Sequence, residues 1–134
     1  MEKLVIEPTF NSPSVILDPE SNQFDFSGES RPENVRKFYL PILEWLDSFA
    51  KEQSDMSSSA RSSSLLVRFN FEYFNSTSAK YILDIFKALN VLNNLGIEIL
   101  VKWLYEEDDE DMLEVGEEMS RMSKLDFEYI NTDA

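Results

Sequence analysis

The stretch from Leu65 to Phe74 constrains the fold more than any other part of the chain. Leu65, Val67, Phe69, Phe71 and Tyr73 alternate with Leu66, Arg68, Asn70, Glu72 and Phe74. Period two with one strongly apolar set predicts a β-strand buried on one face. The strand runs into Asn75-Ser76-Thr77-Ser78-Ala79-Lys80, and then the period changes. Ala79, Ile82, Leu83, Phe86 and Leu89, widened by Ile85 and Leu92, form a helical stripe, which Gly96 ends as a C′ glycine. Ile97 to Tyr105 is apolar enough for the middle of a sheet. Strand, helix and strand in this order imply a right-handed parallel crossover.

The flanking segments extend this unit. Leu4 to Glu7, Ser14 to Asp18 and Phe24 to Gly28 are short β-like runs separated by Pro8, Pro13, Pro19 and Asn22, as in an antiparallel meander. Ser30-Arg31-Pro32-Glu33 fits a capping box, with Ser30 as N-cap and Pro32 in the first turn. Val35, Phe38, Tyr39, Ile42, Trp45, Leu46 and Phe49 then recur at helical spacing, and Pro41 is expected to kink or split that helix. Residues 54–64 are Ser-rich and predict a flexible loop. The acids from Glu106 to Asp111 lead into Met112, Leu113, Val115, Met119 and Met122, a third helix whose dipole favours them. Phe127 to Asn131 completes the set as an edge strand. The order β-β-β-α-β-α-β-α-β predicts an α/β fold with a mixed sheet, strands 65–74 and 97–105 lying at its centre.

At 134 residues the chain suits one domain, 1–134. Twelve Lys and Arg against twenty-six Asp and Glu leave a net charge of −14. Such a charge repels phosphate backbones and anionic lipids, so neither nucleic acid nor a membrane is the expected partner. With no Cys and no His, thiolate nucleophiles, His-based triads and Cys/His zinc sites are excluded. Gly28, Gly96 and Gly116 are too scattered for a nucleotide-binding loop. The acids from Asp108 to Glu118 lack the turn of a calcium loop. No catalytic residue, metal or cofactor is expected. The short N-terminal apolar run, with acids on both sides, is no signal peptide, and the expected location is the cytoplasm. A binding or regulatory module fits this inventory better than an enzyme.

The strand-to-helix junction carries the one chemical signal. Ser76, Thr77 and Ser78 stand in a row at a helix N-terminus. One hydroxyl suffices to cap an orphan N–H, so capping explains one of the three. The alternative is a phosphoacceptor, whose phosphate would face the positive end of the helix with Lys80 one turn away. Both readings stand on the residues alone.

A resemblance adds to this. Pro13-Ser14-Val15, Gly28-Glu29-Ser30-Arg31-Pro32-Glu33-Asn34, Pro41-Ile42-Leu43-Glu44-Trp45-Leu46, Tyr73-Phe74-Asn75-Ser76-Thr77-Ser78-Ala79-Lys80, Asp84-Ile85 and Val101-Lys102-Trp103-Leu104-Tyr105 stand in order. Together they resemble the SiaC family of bacterial regulatory phosphoproteins, from about residue 4 to about residue 130. The resemblance implies a STAS-like domain, akin to anti-sigma-factor antagonists, with no enzymatic activity. It implies a cognate Ser/Thr kinase, a PP2C-type phosphatase and a downstream target such as a diguanylate cyclase, bound by the unmodified form. Carried onto this chain, the phosphoacceptor falls on Ser76. The family often has Thr at that position, so Thr77 is the reserve. Asn75, Ser78 and Lys80 form the surroundings, and Ser30, Arg31, Pro32, Glu33 and Asn34 border the implied partner surface. Two rival readings remain at this stage. One is an acidic protein-interaction module that is never phosphorylated; the other is a metal-dependent hydrolase using the acids of residues 106–118.

Overall fold

The protein was analysed as a computed structural model that describes residues 1–133; Ala134, the last residue of the expected 1–134 domain, lies outside the described residues. The elements run β1 (Leu4–Ile6), β2 (Ser14–Asp18), β3 (Gln23–Ser30), α1 (Val35–Asp55), β4 (Ser64–Phe74), α2 (Ser76–Asn94), β5 (Glu98–Tyr105), α3 (Glu110–Ser123) and β6 (Phe127–Asn131). The six strands form one sheet in chain order. β1, β2 and β3 pair antiparallel, while β3 to β6 pair parallel. The expected mixed sheet is found, and β4 and β5 are both interior strands.

Sequential strand order explains the layering. Three parallel crossovers each advance one strand in the same direction, and the right hand that such connections take lays their helices on one face of the sheet. α1 packs beside α2, and α2 beside α3. Beneath them, Phe24 and Phe26 of β3, Val67 and Phe69 of β4, and Val101 and Trp103 of β5 form the core floor. Phe26 and Phe69 stack at 4.8 Å across the β3–β4 pair. The other face keeps Arg68, Asn70, Glu72 and Glu98 exposed. No helix among the described residues is long and apolar enough to cross a membrane.

Four local expectations need correction. Ser30 does not cap α1. Its backbone is still paired with Phe74 in the β3–β4 ladder, and β3 runs past Gly28 rather than ending there. The cap is Asn34, whose side chain accepts from Lys37 N–H at 3.0 Å, so Pro32 and Glu33 lie ahead of the helix. Of the two outcomes expected at Pro41, the split does not occur: α1 is continuous over 21 residues. The proline and Lys37 are both exposed, so water can hydrate the carbonyl that Pro41 leaves unpaired.

The alternation of β4 also breaks near its end. Gly28 pairs with Phe71 but Glu29 pairs with Tyr73, so Glu72 is an extra residue in β4. This bulge reverses the faces of the last two residues. Tyr73 is 49% exposed, whereas Phe74 packs edge-on against Phe71 and Trp103. Finally, the two ends of the Ser-rich segment belong to regular structure. Ser54 and Asp55 finish α1 and Ser64 opens β4, while Arg61 donates to the carbonyls of Gln53, Ser54 and Leu95.

Candidate functional site at the β4–α2 junction

The bulge in β4 delivers the chain to α2 in a fixed way. Asn75 follows β4 with extended backbone and is the N-cap of α2. Its carboxamide oxygen accepts from Ser78 N–H at 2.9 Å and from the Thr77 hydroxyl at 3.0 Å. One orphan donor of the helix is thereby satisfied by Asn75, and none of the three hydroxyls is needed as the N-cap.

The three hydroxyls have different surroundings. Ser78 is fully buried, and its hydroxyl donates to the carbonyl of Ser30 at 3.0 Å. Thr77 is exposed but tied to Asn75. Ser76, the first helical residue, is exposed and its hydroxyl makes no hydrogen bond among the described residues. Lys80 is exposed one turn further on, on the same helical face as Ser76. The first turn of α2 contains no acidic residue, in contrast to that of α3, which contains Glu110 and Asp111. In a chain with 26 acids, the positive end of α2 is left uncompensated.

Behind the junction lies a buried chain of hydroxyls. Tyr39 of α1 bonds the Ser30 hydroxyl, which donates to Ser78 Oγ at 2.9 Å. Ser78 in turn donates back to the Ser30 carbonyl, which also accepts from Asn75 N–H at 3.1 Å. Every hydroxyl proton has an acceptor when Tyr39 is the first donor. Burial pushes the Tyr39 phenol up to about 12, against a smaller lowering by the Ser30 and Ser78 hydroxyls. Tyr39 also stacks on Tyr81 of α2 at 5.6 Å. The network fastens β3, α1 and α2 together at the helix turn that carries Ser76.

The structure therefore brings Ser30, Asn75 and Ser78 together, but Ser30 is buried and is no part of a surface. Arg31, Glu33 and Asn34 are exposed and Pro32 is half-buried. Glu33 makes no hydrogen bond or ion pair among the described residues, whereas Arg31 pairs with Glu29 at 3.2 Å. Tyr39 was legible in the sequence as core, and its role beneath the junction was not. Phe10, 79% exposed and lying under the Arg31 guanidinium, carried no signal in the sequence at all.

A separate trough of about 670 Å³ on the open face of the sheet is lined by Ser14, Ser27, Asn70, Glu72, Glu106 and Asp109 among others. It does not include Ser76 or Thr77. No group of three or more acidic residues among the described residues is placed to hold a metal ion.

Comparison with known proteins agrees in fold and extent. At 25% identity, the chain aligns over 127 residues with the Pseudomonas aeruginosa (strain UCBPP-PA14) uncharacterized protein PA14_02130, covering 95% of this chain and 94% of that one. It superposes on the crystal structure of apo-SiaC from Pseudomonas aeruginosa with a TM-score of 0.80 at 23% identity, over 97% and 99% of the two chains. A chain in the crystal structure of diguanylate cyclase SiaD in complex with its activator SiaC, also from Pseudomonas aeruginosa, matches with a TM-score of 0.81 at 22% identity, over 96% and 98%. The profile described as SiaC family regulatory phosphoprotein matches residues 6–132. With that match spanning nearly its whole length, the chain belongs to the SiaC family of regulatory phosphoproteins.

Proposed function

We propose that this chain is a non-enzymatic cytoplasmic switch protein, phosphorylated on Ser76 by a cognate Ser/Thr kinase and restored by a PP2C-type phosphatase. The observation that carries the reading is the exposed, unbonded Ser76 hydroxyl between a capping Asn75 and a buried Ser78. In the forward step, Ser76 Oγ attacks the γ-phosphorus of ATP, the bond to the ADP oxygen breaks with its electron pair leaving on ADP, and the hydroxyl proton passes to a base of the kinase. Thr77 is the reserve acceptor, since its hydroxyl must first leave Asn75.

The unmodified form binds and regulates a downstream protein, and the SiaD–SiaC complex supports a diguanylate cyclase as that target. Phosphorylation adds about −1.5 to −2 charges at neutral pH. The uncompensated end of α2 accommodates this charge without unfolding the domain. A partner seated over the helix start meets a bulky dianion instead, and each 1.4 kcal/mol lost there weakens binding about tenfold.

The test is titration of a diguanylate cyclase from the same genome with unmodified, Ser76→Ala and phosphoserine-76 protein. The first two are expected to bind alike and the third at least tenfold more weakly. Equal binding of the phosphoserine form would leave a constitutive acidic interaction module as the reading.

A further inference from the structure

The β3–β4 ladder ends one residue short of Arg31, a cation, and two short of Ser76, the proposed phosphoacceptor. Asn75 N–H bonds the Ser30 carbonyl at 3.1 Å, and the next residues outward are Ser76 and Arg31. Neighbouring strands lie about 4.8 Å apart, so the chain ends that carry Arg31 and Ser76 leave the ladder side by side. The Arg31 side chain is held loosely. It is 44% exposed, its Nε lies 3.2 Å from a partly exposed Glu29 carboxylate, and its guanidinium carbon sits 5.6 Å above the Phe10 ring.

Phe10, by contrast, is held at the surface by an ordered loop. Thr9 Oγ1 accepts from the N–H groups of Asn11 and Ser12 at 3.2 and 3.0 Å. The Arg31 N–H donates to the Asn11 carbonyl at 2.8 Å, which ties this loop to the end of β3. The ring is thus presented outward with a single guanidinium over it.

We propose that Arg31 reads the phosphorylation state: a phosphate on Ser76 draws its guanidinium away from Glu29 and off the Phe10 ring. The inference rests on Ser76 being the site of the phosphate. A phosphate dianion carries about twice the charge of the Glu29 carboxylate, and the planar guanidinium fork matches two of its oxygens. Lys80, one turn along α2, is a compact point charge with no fork, and Glu29 and Glu33 repel the phosphate. The same event therefore changes the surface twice, by adding a dianion at α2 and by moving a cation off an exposed aromatic ring. Exposed aromatic and arginine side chains are those on which protein interfaces most depend.

The experiment places phosphoserine at position 76 during translation, so that no kinase is needed. Phosphorus NMR then follows the second ionisation of the phosphate, and the Phe10 ring resonances are compared with those of unmodified protein. Arg31 pairing lowers that ionisation by about half a unit or more from its usual value near 6. Arg31→Gln is expected to restore most of the difference, while Lys80→Gln restores little. The Phe10 resonances are expected to shift on phosphorylation in the wild-type background and to stay put with Arg31→Gln. Identical titration with and without Arg31, a larger effect of Lys80→Gln, or an unmoved Phe10 ring would overturn the inference. Because the phosphate is installed directly, these results are independent of whether a kinase uses Ser76.

Discussion

The hydroxyls of Ser30 and Ser78 lie 2.9 Å apart, although 48 residues separate them in the chain. This bond joins the last residue of β3 to the first turn of α2, and it is buried. The helix that presents Ser76 is therefore positioned by the sheet and by Tyr39 of α1, and not by its own cap alone.

The first prediction concerns that network. Ser78→Ala leaves the Ser30 hydroxyl without its acceptor in a buried place, at a cost of about 1–3 kcal/mol. Ser30→Ala orphans the Tyr39 hydroxyl to a similar degree. The two losses are not additive, because each removes the same bond; a double-mutant cycle by urea unfolding is expected to show coupling of about 0.5 kcal/mol or more. Strict additivity would mean that the bond contributes nothing.

Alkaline stability follows from Tyr39. Its phenol is raised from an ordinary value near 10 to about 12, chiefly by burial. Below pH 10 both the folded and unfolded forms are protonated and the contribution is fully present. Between pH 10 and 12 the unfolded chain ionises while the folded one does not, so stability falls as pH rises, by about 2–3 kcal/mol at most. Unfolding free energies measured across this window are expected to fall more steeply for the wild type than for Tyr39→Phe.

Gly116 is expected to resist a substitution that helix propensity favours. A methyl group there would meet the Trp103 indole at 2.5 Å. The indole is fixed, since its N–H donates to the Met112 carbonyl at 3.0 Å and the ring is buried. Gly116→Ala thus costs about 1–3 kcal/mol through overpacking, against the gain of up to 1 kcal/mol expected in an exposed helix. Thermal melts with Trp103 fluorescence separate the two signs.

The start of α1 gives a simple comparison. Asn34→Ala removes the side chain that accepts from Lys37 N–H, and is expected to cost about 0.5–2 kcal/mol. Glu33→Gln is expected to be within about 0.5 kcal/mol of wild type, since Glu33 lies ahead of the helix and is exposed. A larger loss at Glu33 in urea melts would restore the capping box that the sequence suggests.

The strands and the helix faces were legible because each depends on local periodicity; the order of the strands in the sheet depends on pairing between distant segments. β4 and β5 sit within a residue of where their apolar patterns place them, and α2 ends just ahead of Gly96 as expected. The failures share one cause, competition from distant residues. Ser30-Arg31-Pro32-Glu33 satisfies a local capping rule, but Tyr39 and Ser78 take the Ser30 hydroxyl and the β4 ladder takes its backbone. Tyr73 and Phe74 exchange faces because Glu72 has no partner in β3, which only the pairing of two strands reveals. At the junction, the hydroxyl run was visible in the sequence. Which hydroxyl is buried, tied or free depends on Asn75 and Ser30, and that needed the fold. The Phe10–Arg31 contact joins a loop to a strand end and leaves no periodic trace.

The central claim is that Ser76 accepts the phosphate. Its most direct test is intact-mass measurement and tandem mass-spectrometric site mapping after incubation with ATP and the cognate kinase, for wild type and Ser76→Ala. One phosphoryl group on wild type, mapped to Ser76 and lost in Ser76→Ala, is the expected result. Phosphate appearing on Ser76→Ala as readily as on wild type, or none on Ser76, Thr77 or Ser78, would contradict it.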